Sequence, residues 1–361
     1  IKVPELALFY NEITDYKTAL HIKLDKPEVD ETLVNIAPTS DQQQFIKRLM
    51  EFARTGNAEL IGRPPLSKTE DLARMLIATN MAKKMALDMR LIKESYADHP
   101  NSKVNVCARQ VAKVYHESSP NKGTQLVFCD IGTPNTDGFN IYDALKEKLV
   151  RDFRVPAHEI SFIHDSAWAN PRLKPGMFRK MNEGKIRVLF GSTEKAGTGL
   201  NVQRRMVAMH HLDIPWKPSE LEQRNGRGAR QGNIVAKNHY GNKVRNYIYA
   251  TEQSLDNYKF NLLKNKQLFI SQMKNNNLNV RSIDEGSLDE KSGMNFAEYI
   301  AILSGDTTLL EKAKLDKQIA VLENLKKAHF KAVFSDKWNL QNMEERSEKI
   351  TLQLVQLKAD Q

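Results

Sequence analysis

The sequence predicts an α/β protein, a parallel sheet flanked by helices, with helical extensions on its N-terminal and C-terminal sides. Three observations predict it. Between residues 101 and 274, short apolar runs alternate with amphipathic stretches of roughly ten to fifteen residues, the pattern of successive βαβ units. Before residue 100 the apolar positions keep a helical period broken by polar linkers. After residue 306 a composition of Lys, Glu, Leu and Gln carries apolar residues at spacings of three, four or a multiple. With 361 residues, 40% of them hydrophobic, the chain holds enough apolar material for one large or two medium cores.

Taken in order, residues 1–100 read as a helical appendage. Leu6, Phe9, Tyr10 and Ile13 share one face of a first helix, and Leu72, Met75, Leu76 and Thr79 one face of a later one. A proline-glycine break at Ile61-Gly62-Arg63-Pro64-Pro65 separates them. Ser67 with Glu70 three residues on forms a capping box that opens a helix expected to run through Met89. Residues 101–274 then supply buried strands at Gln125 to Asp130, Glu159 to Ile163, Ile186 to Phe190, Met206 to His210 and Tyr247 to Ala250. Between them lie helices at Ile141 to Arg151, Gly176 to Asn182 and Ser219 to Gly226. An amphipathic helix from Leu255 to Met273 closes this part. Residues 275–305 read as a polar linker, and 306–361 as a helical hairpin or coiled coil built on Leu315, Ile319, Leu322, Phe330, Phe334 and Trp338. No internal repeat is visible.

Composition narrows the function classes. Lysine and arginine total 54 against 44 acids, a formal charge of +10 that favours polyanions such as nucleic acid through long-range attraction and counterion release. Cys107 and Cys129 stand far apart, outside any spacing that a zinc site or a disulfide framework needs, so no metal is expected and a reducing cytoplasm is the simplest setting. No apolar run reaches the roughly 18 residues of a membrane span, and Ile1-Lys2-Val3-Pro4 does not resemble a signal-peptide start. The absence of an initiator Met predicts a piece of a longer polypeptide.

The sharpest signal is Gln223-Arg224-Asn225-Gly226-Arg227-Gly228-Ala229-Arg230, a Gln-x-x-Gly-Arg-x-x-Arg pattern beyond the fourth strand. Arg227 and Arg230, three apart, are expected on one side of one helical turn, where two guanidinium forks reach the same phosphate chain. Phosphoryl transfer needs such positive charge beside the transferring oxygens, and Gly226 is expected to let the backbone come close. A solvated arginine-rich face is the bland alternative. Behind the third strand, Ser192-Thr193-Glu194-Lys195-Ala196-Gly197-Thr198-Gly199-Leu200-Asn201 is a small-residue loop whose backbone amides can approach a phosphate. The next strand ends in His211-Leu212-Asp213-Ile214-Pro215-Trp216-Lys217-Pro218.

In this order the loop, the Asp-x-Pro-Trp-x-Pro segment and the arginine pattern resemble motifs V to VI of the Swi/Snf-type branch of superfamily 2 helicases. Gln125 to Asp130 resembles that family's motif IV. Phe162-Ile163-His164-Asp165 resembles the end of its next strand, except that Ser166 stands where members show Gly, which puts that loop's geometry in question. The resemblance runs from about Asn101 to Gln272, with Arg90 to Pro100 similar to the family's helical approach. It implies the C-terminal RecA-like lobe of a P-loop NTPase-type motor that binds ATP with Mg2+ and tracks double-stranded DNA. Carried over by position, Arg227 and Arg230 are arginine fingers, Gly199, Asn201 and Gln223 face the nucleotide, and Ser192, Thr193, Lys195 and Trp216 contact or brace the DNA strand. In detail the chain is most similar to large polypeptides of bacterial mobile elements and phages in which such a motor adjoins an adenine-specific DNA methylase.

The departures define what the chain lacks. It contains no Gly-x-x-x-x-Gly-Lys-Ser/Thr loop. The early acid pair Asp30-Glu31 follows a charged stretch rather than a strand, and Asp130, which does end a strand, is expected only to cap a loop. The ATP-gripping lobe is therefore expected upstream in cis, and this piece alone is expected to turn over negligible ATP. His210 and His211 point to opposite faces of a strand and cannot easily share a metal. Met81, Met85 and Met89 read as core packing. The competing reading is a scaffold derived from a motor lobe, docking a partner through its C-terminal helices.

Overall fold

The computed structural model describes residues 9, 12–14, 24–134, 138–168, 170, 172–196, 200–274, 302 and 307–359. Its elements are β1 (Glu28–Ile36), α1 (Ser40–Thr55), α2 (Lys68–Leu72), α3 (Arg74–Leu87), α4 (Lys103–Glu117), β2 (Thr124–Phe128) and α5 (Ile141–Arg151). There follow β3 (Ile160–Phe162), α6 (Lys174–Asn182), β4 (Val188–Gly191), α7 (Thr193–Ala196), β5 (Met206–His211), α8 (Pro218–Gly228), α9 (Ile234–His239), β6 (Lys243–Thr251), α10 (Leu255–Lys274) and α11 (Thr307–Ala359). The strands form one sheet in the order β1-β6-β5-β2-β4-β3, and every pairing is parallel.

The five strands read from the sequence are present because each is an apolar run buried on both faces, as parallel strands under helices must be. On one face Cys107, Ala108 and Val111 of α4 and Leu145 and Leu149 of α5 pack onto Val127, Phe190 and Val207. On the other, Met177 and Met181 of α6 pack against Leu126, Leu189 and Met209.

Residues 1–100 are not wholly helical. β1 adds a sixth strand along the whole of β6, from Glu28 beside Lys243 to Ile36 beside Thr251. Val29, Thr32, Val34 and Ile36 give it β-branched character, and its exposed charges Glu28 and Asp30 suit an edge strand. Asp30-Glu31 thus lies on a strand after all, but ahead of its C-terminal end, and Glu31 is spent on Lys264 of α10 at 2.5 Å. The capping box at Ser67 forms, yet its helix ends at Leu72 and a second one, α3, carries the chain to Leu87. The buried face of α3 is Ala78, Ala82, Met85 and Ala86, whereas Leu72 and Leu76 of the expected face are exposed, because small residues let α3 approach α1 and α10. Of the expected first-helix face, Phe9 and Ile13 are exposed, and Leu6 and Tyr10 lie outside the described residues. The expected linker over 275–305 likewise lies outside them, apart from Ile302.

Residues 306–361 form a separate unit. Of the two expected forms, helical hairpin or coiled coil, the chain makes no hairpin but one helix of 53 residues, α11, which no Gly or Pro interrupts. Leu315, Ile319, Leu322, Phe330, Phe334 and Trp338 are all exposed on it.

His210 and His211 are fully buried structural residues. His210 is held between the Tyr249 hydroxyl (2.8 Å) and Gln125 Oε1 (2.9 Å), and His211 by Asn246 Oδ1 (2.7 Å) while stacking on Phe128. Burial, with neighbouring positive charge, pushes both down to about 3. Folding therefore keeps both neutral, while the unfolded chain protonates them near the ordinary value of 6.5. Stability is fully present above about pH 6.5 and is lost as pH falls toward 3, by up to about 1.4 kcal/mol per histidine per pH unit. Chemical denaturation at a series of pH values should show this slope, and His210→Gln should flatten it; a pH-independent midpoint across the window contradicts the assignment.

Candidate functional site

The C-terminal ends of β2, β4 and β5 converge on a cleft of about 860 Å³, which α3 and α10 border with Lys83 and Lys259. Open parallel sheets place their ligand crevices at this edge, where the loops leave the strands. Ser192, Thr193, Lys195, Trp216 and Gln223, all singled out in the sequence, line it together with Asp130, His164 and Asp213.

The organising residue is Arg224, which the sequence reading passed over. It is 1% exposed. Its Nη2 donates to Asp130 Oδ2 at 2.7 Å and to Asp213 Oδ1 at 2.9 Å, its Nη1 to the Asp213 carbonyl at 2.9 Å, and its Nε to the Thr193 hydroxyl at 2.7 Å. Asp130 in turn accepts the Thr193 amide (2.6 Å) and hydroxyl (2.7 Å), and Asp213 accepts the Asp130 amide at 2.5 Å. Burial alone would raise the Asp130 carboxyl, but the Arg224 charge and the Thr193 donors outweigh it and hold the group below its ordinary value. Burial likewise opposes the charge on Arg224, and Asp213 and Asp130 more than restore it. Asp130 caps the loop at α7, as expected, and also ties the ends of three strands to α8. A signal was available: an arginine one turn from the apolar Leu221 on an amphipathic helix, facing two acids that each end a strand segment.

This network changes the reading of Thr193. Its amide and hydroxyl are both engaged, so it fixes the loop rather than offering a free hydroxyl to a ligand. Ser192 is buried and its Oγ accepts the Lys195 amide at 3.3 Å, leaving Lys195 exposed at the rim. His164 lines the cleft, lowered first by burial and then by Lys195. Ser166, in the family's glycine position, opens a short 3-10 turn to Trp168 and takes no left-handed backbone, so serine fits there.

The expected geometry of Arg227 and Arg230 needs correction. α8 ends at Gly228, and Ala229 (φ −89°, ψ 67°) turns the chain off the helix axis, so Arg230 does not share a helical turn with Arg227. Arg230 reaches back instead to Asn201, donating to its Oδ1 at 2.7 Å. Arg227 lies four residues after Gln223 on one face of α8. It is partly buried with its Nε unpartnered, and burial followed by the Arg230 charge lowers its pKa. Neither arginine has a carboxylate partner among the described residues, so both guanidinium groups remain available to an anion. Within the protein the tight backbone contact of α8 is at Gly228, while Gly226 faces open space. A Cβ at Gly228 would sit 2.4 Å from Met209 Sδ, whereas one at Gly226 meets nothing within 4 Å. Glycine at 228 is what lets α8 lie on β5. Gly199 lies outside the described residues.

Residues 111–232, from within α4 to just past the arginine pattern, match the family model of the helicase conserved C-terminal domain. This stretch is similar to helicase C-terminal domains. The "Defense against restriction protein B" of Escherichia phage P1 is 31% identical over 138 residues, covering 37% of the chain and 6% of that protein, so the chain spans a small fraction of this relative's length. Among solved structures, the C-terminal part of the Fun30 ATPase domain aligns over 80% of this chain and 99% of its own, with a TM-score of 0.46 and 11% identity. The Sulfolobus solfataricus SWI2/SNF2 ATPase C-terminal domain aligns over 72% of this chain and 100% of its own, with a TM-score of 0.44 and 13% identity.

Within the matched stretch, Trp216 is 9% exposed, with its indole N–H unpartnered. The Lys259 ammonium lies 4.6 Å and the Lys83 ammonium 5.4 Å from its ring centroid. Trp216 therefore braces the cleft wall and offers a ligand little of its ring. Burial, then the Lys83 charge, brings Lys259 down to about 8. No cluster of metal-ligating side chains occurs among the described residues, and none of their helices is long and apolar enough to cross a membrane.

Proposed function

We propose that the chain is the second motor lobe of a Swi/Snf-type, ATP-dependent translocase on double-stranded DNA, with Arg227 and Arg230 acting on the phosphates of ATP and Mg2+ held mainly by a first lobe. One observation carries this reading. Arg230 is aimed by Asn201, so the loop after β4 and the end of α8 are joined where two guanidinium groups stand without carboxylates. Such a pair suits the equatorial oxygens of a transferring phosphoryl group. ATP would complete the site by drawing two lobes together, and reopening after hydrolysis would advance the strand.

The DNA side of the proposal rests on the cleft, with Lys195 at its rim, and on the charge of +10. Ser192 and Thr193 act there by shaping the loop, Trp216 by bracing the wall, and Gln223 by linking the cleft to the arginine face. The P-loop and its magnesium-holding acid are supplied by the first lobe, in cis in a longer bacterial cytoplasmic polypeptide. The phage relative fits a mobile-element setting, and a DNA methylase domain is the proposed neighbour.

ATP hydrolysis by this chain, compared with a longer polypeptide that includes the upstream lobe, tests the proposal with and without duplex DNA. Hydrolysis only by the longer polypeptide, stimulated by duplex, supports it. No hydrolysis by either sinks it.

A further inference from the structure

Lys83 and Lys259 come from α3 and α10, outside every motif discussed above, yet both reach the ring of Trp216 and line the same cleft. Their environment is unusual. Lys259 is 94% buried by its 6% exposure, and no carboxylate lies within ion-pair distance of it or of Lys83 among the described residues. The nearby acids are already matched, Asp213 by Arg224 at 2.9 Å and Asp256 by Lys103 in a buried pair. Both ammonium groups lie against the Trp216 ring, whose own buried Nε1–H has no acceptor. A largely buried ammonium with no carboxylate beside it is costly, and an anionic oxygen entering the cleft next to it removes that cost.

We propose that Lys83 and Lys259, both set against the Trp216 ring, form a phosphate-binding floor of the cleft that holds one phosphodiester of the duplex strand the motor tracks. The inference rests on the DNA reading above and extends it to two residues that carry no motif. Lys83 lies on α3, ahead of the matched stretch, and Lys259 on α10, behind it. The floor therefore ties both flanking helices to the strand. Phosphate contact at such a place gives affinity and register without reading sequence. A nucleotide phosphate offers the same chemistry, so the test separates the two sources.

Duplex binding is measured across a salt series for the chain and for Lys83→Gln, Lys259→Gln and the rim variant Lys195→Gln, with melting temperature as the folding control. Each floor variant is expected to weaken binding uniformly across sequences by roughly tenfold and to reduce the slope of log K against log salt by about 0.9, the loss of one phosphate contact. A purely structural role for Lys259 would lower the melting temperature and leave the slope alone. If the chain binds duplex and Lys195→Gln weakens it while both floor variants keep wild-type affinity and slope, the floor is overturned and the DNA reading stands. If the wild-type chain binds no duplex, both fall. Parallel titrations use ATP and inorganic phosphate: binding of either that both floor variants abolish, with duplex binding unchanged, assigns the floor to a nucleotide and overturns the strand contact.

Discussion

Replacing Arg224 with alanine should lower the stability of the α/β lobe by about 3 kcal/mol, the low end of the range for breaking a buried ion pair. The low end applies because Asp130 is 40% exposed on its cleft side and water screens part of its charge, whereas Asp213 is only 11% exposed. The loss has two sources. Four hydrogen bonds from one guanidinium group disappear, and two carboxylates are left facing each other across the space it occupied. For a domain of this size that corresponds to roughly 2–4 °C of melting temperature for each kcal/mol. Adding Asp213→Asn to Arg224→Ala should recover part of the loss, because the uncompensated carboxylate rather than the missing arginine carries much of the penalty. Thermal melts of the two variants decide it: an Arg224→Ala protein that melts with the wild type shows that the network does not hold these strand ends together.

Arg230→Ala in the longer polypeptide should reduce the turnover of ATP at least about a thousandfold, the usual scale for losing an arginine that neutralises transferring phosphoryl charge. Duplex affinity should stay close to wild type, since Arg230 projects from the end of α8 toward Asn201 and does not line the cleft. Arg230→Lys should rescue little, because a single ammonium cannot reproduce a planar fork that reaches Asn201 and a phosphate oxygen together. Asn201→Ala should give an intermediate loss, as the arginine is kept but no longer aimed. Steady-state hydrolysis at saturating ATP reads all three, and unchanged kcat for Arg230→Ala removes it from the reaction.

The two variants divide the arginine pattern by role. Arg224 is a buried residue of the network that also sets where Thr193 and the loop after β4 lie, while Arg227 and Arg230 have no carboxylate partner among the described residues. Three arginines within seven positions thus differ through burial and partners alone.

The alternation of apolar runs and amphipathic helices was enough to read five strands and the helices between them, because a strand buried on both faces must be apolar whatever its neighbours are. The arginine pattern and the small-residue loop stood out as candidates because phosphate chemistry restricts which side chains can serve, and the Asp-x-Pro-Trp-x-Pro segment stood out through its resemblance to Swi/Snf-type helicases. β1 was not legible. An edge strand with one open side tolerates Glu28, Asp30 and Asn35, and it is recognisable only once β6 is beside it. The pairing of Asp130 and Asp213 around Arg224 joins residues up to 94 positions apart, and only the order of the strands brings them together. The same holds for Lys83 and Lys259. By itself the sequence determined a parallel α/β lobe, since local pattern fixes it, and marked the arginine pattern and the loop after β4 as candidates for phosphate contact. The tertiary structure alone decided which cations are neutralised and which are left facing the cleft, because charge compensation depends on distance through space.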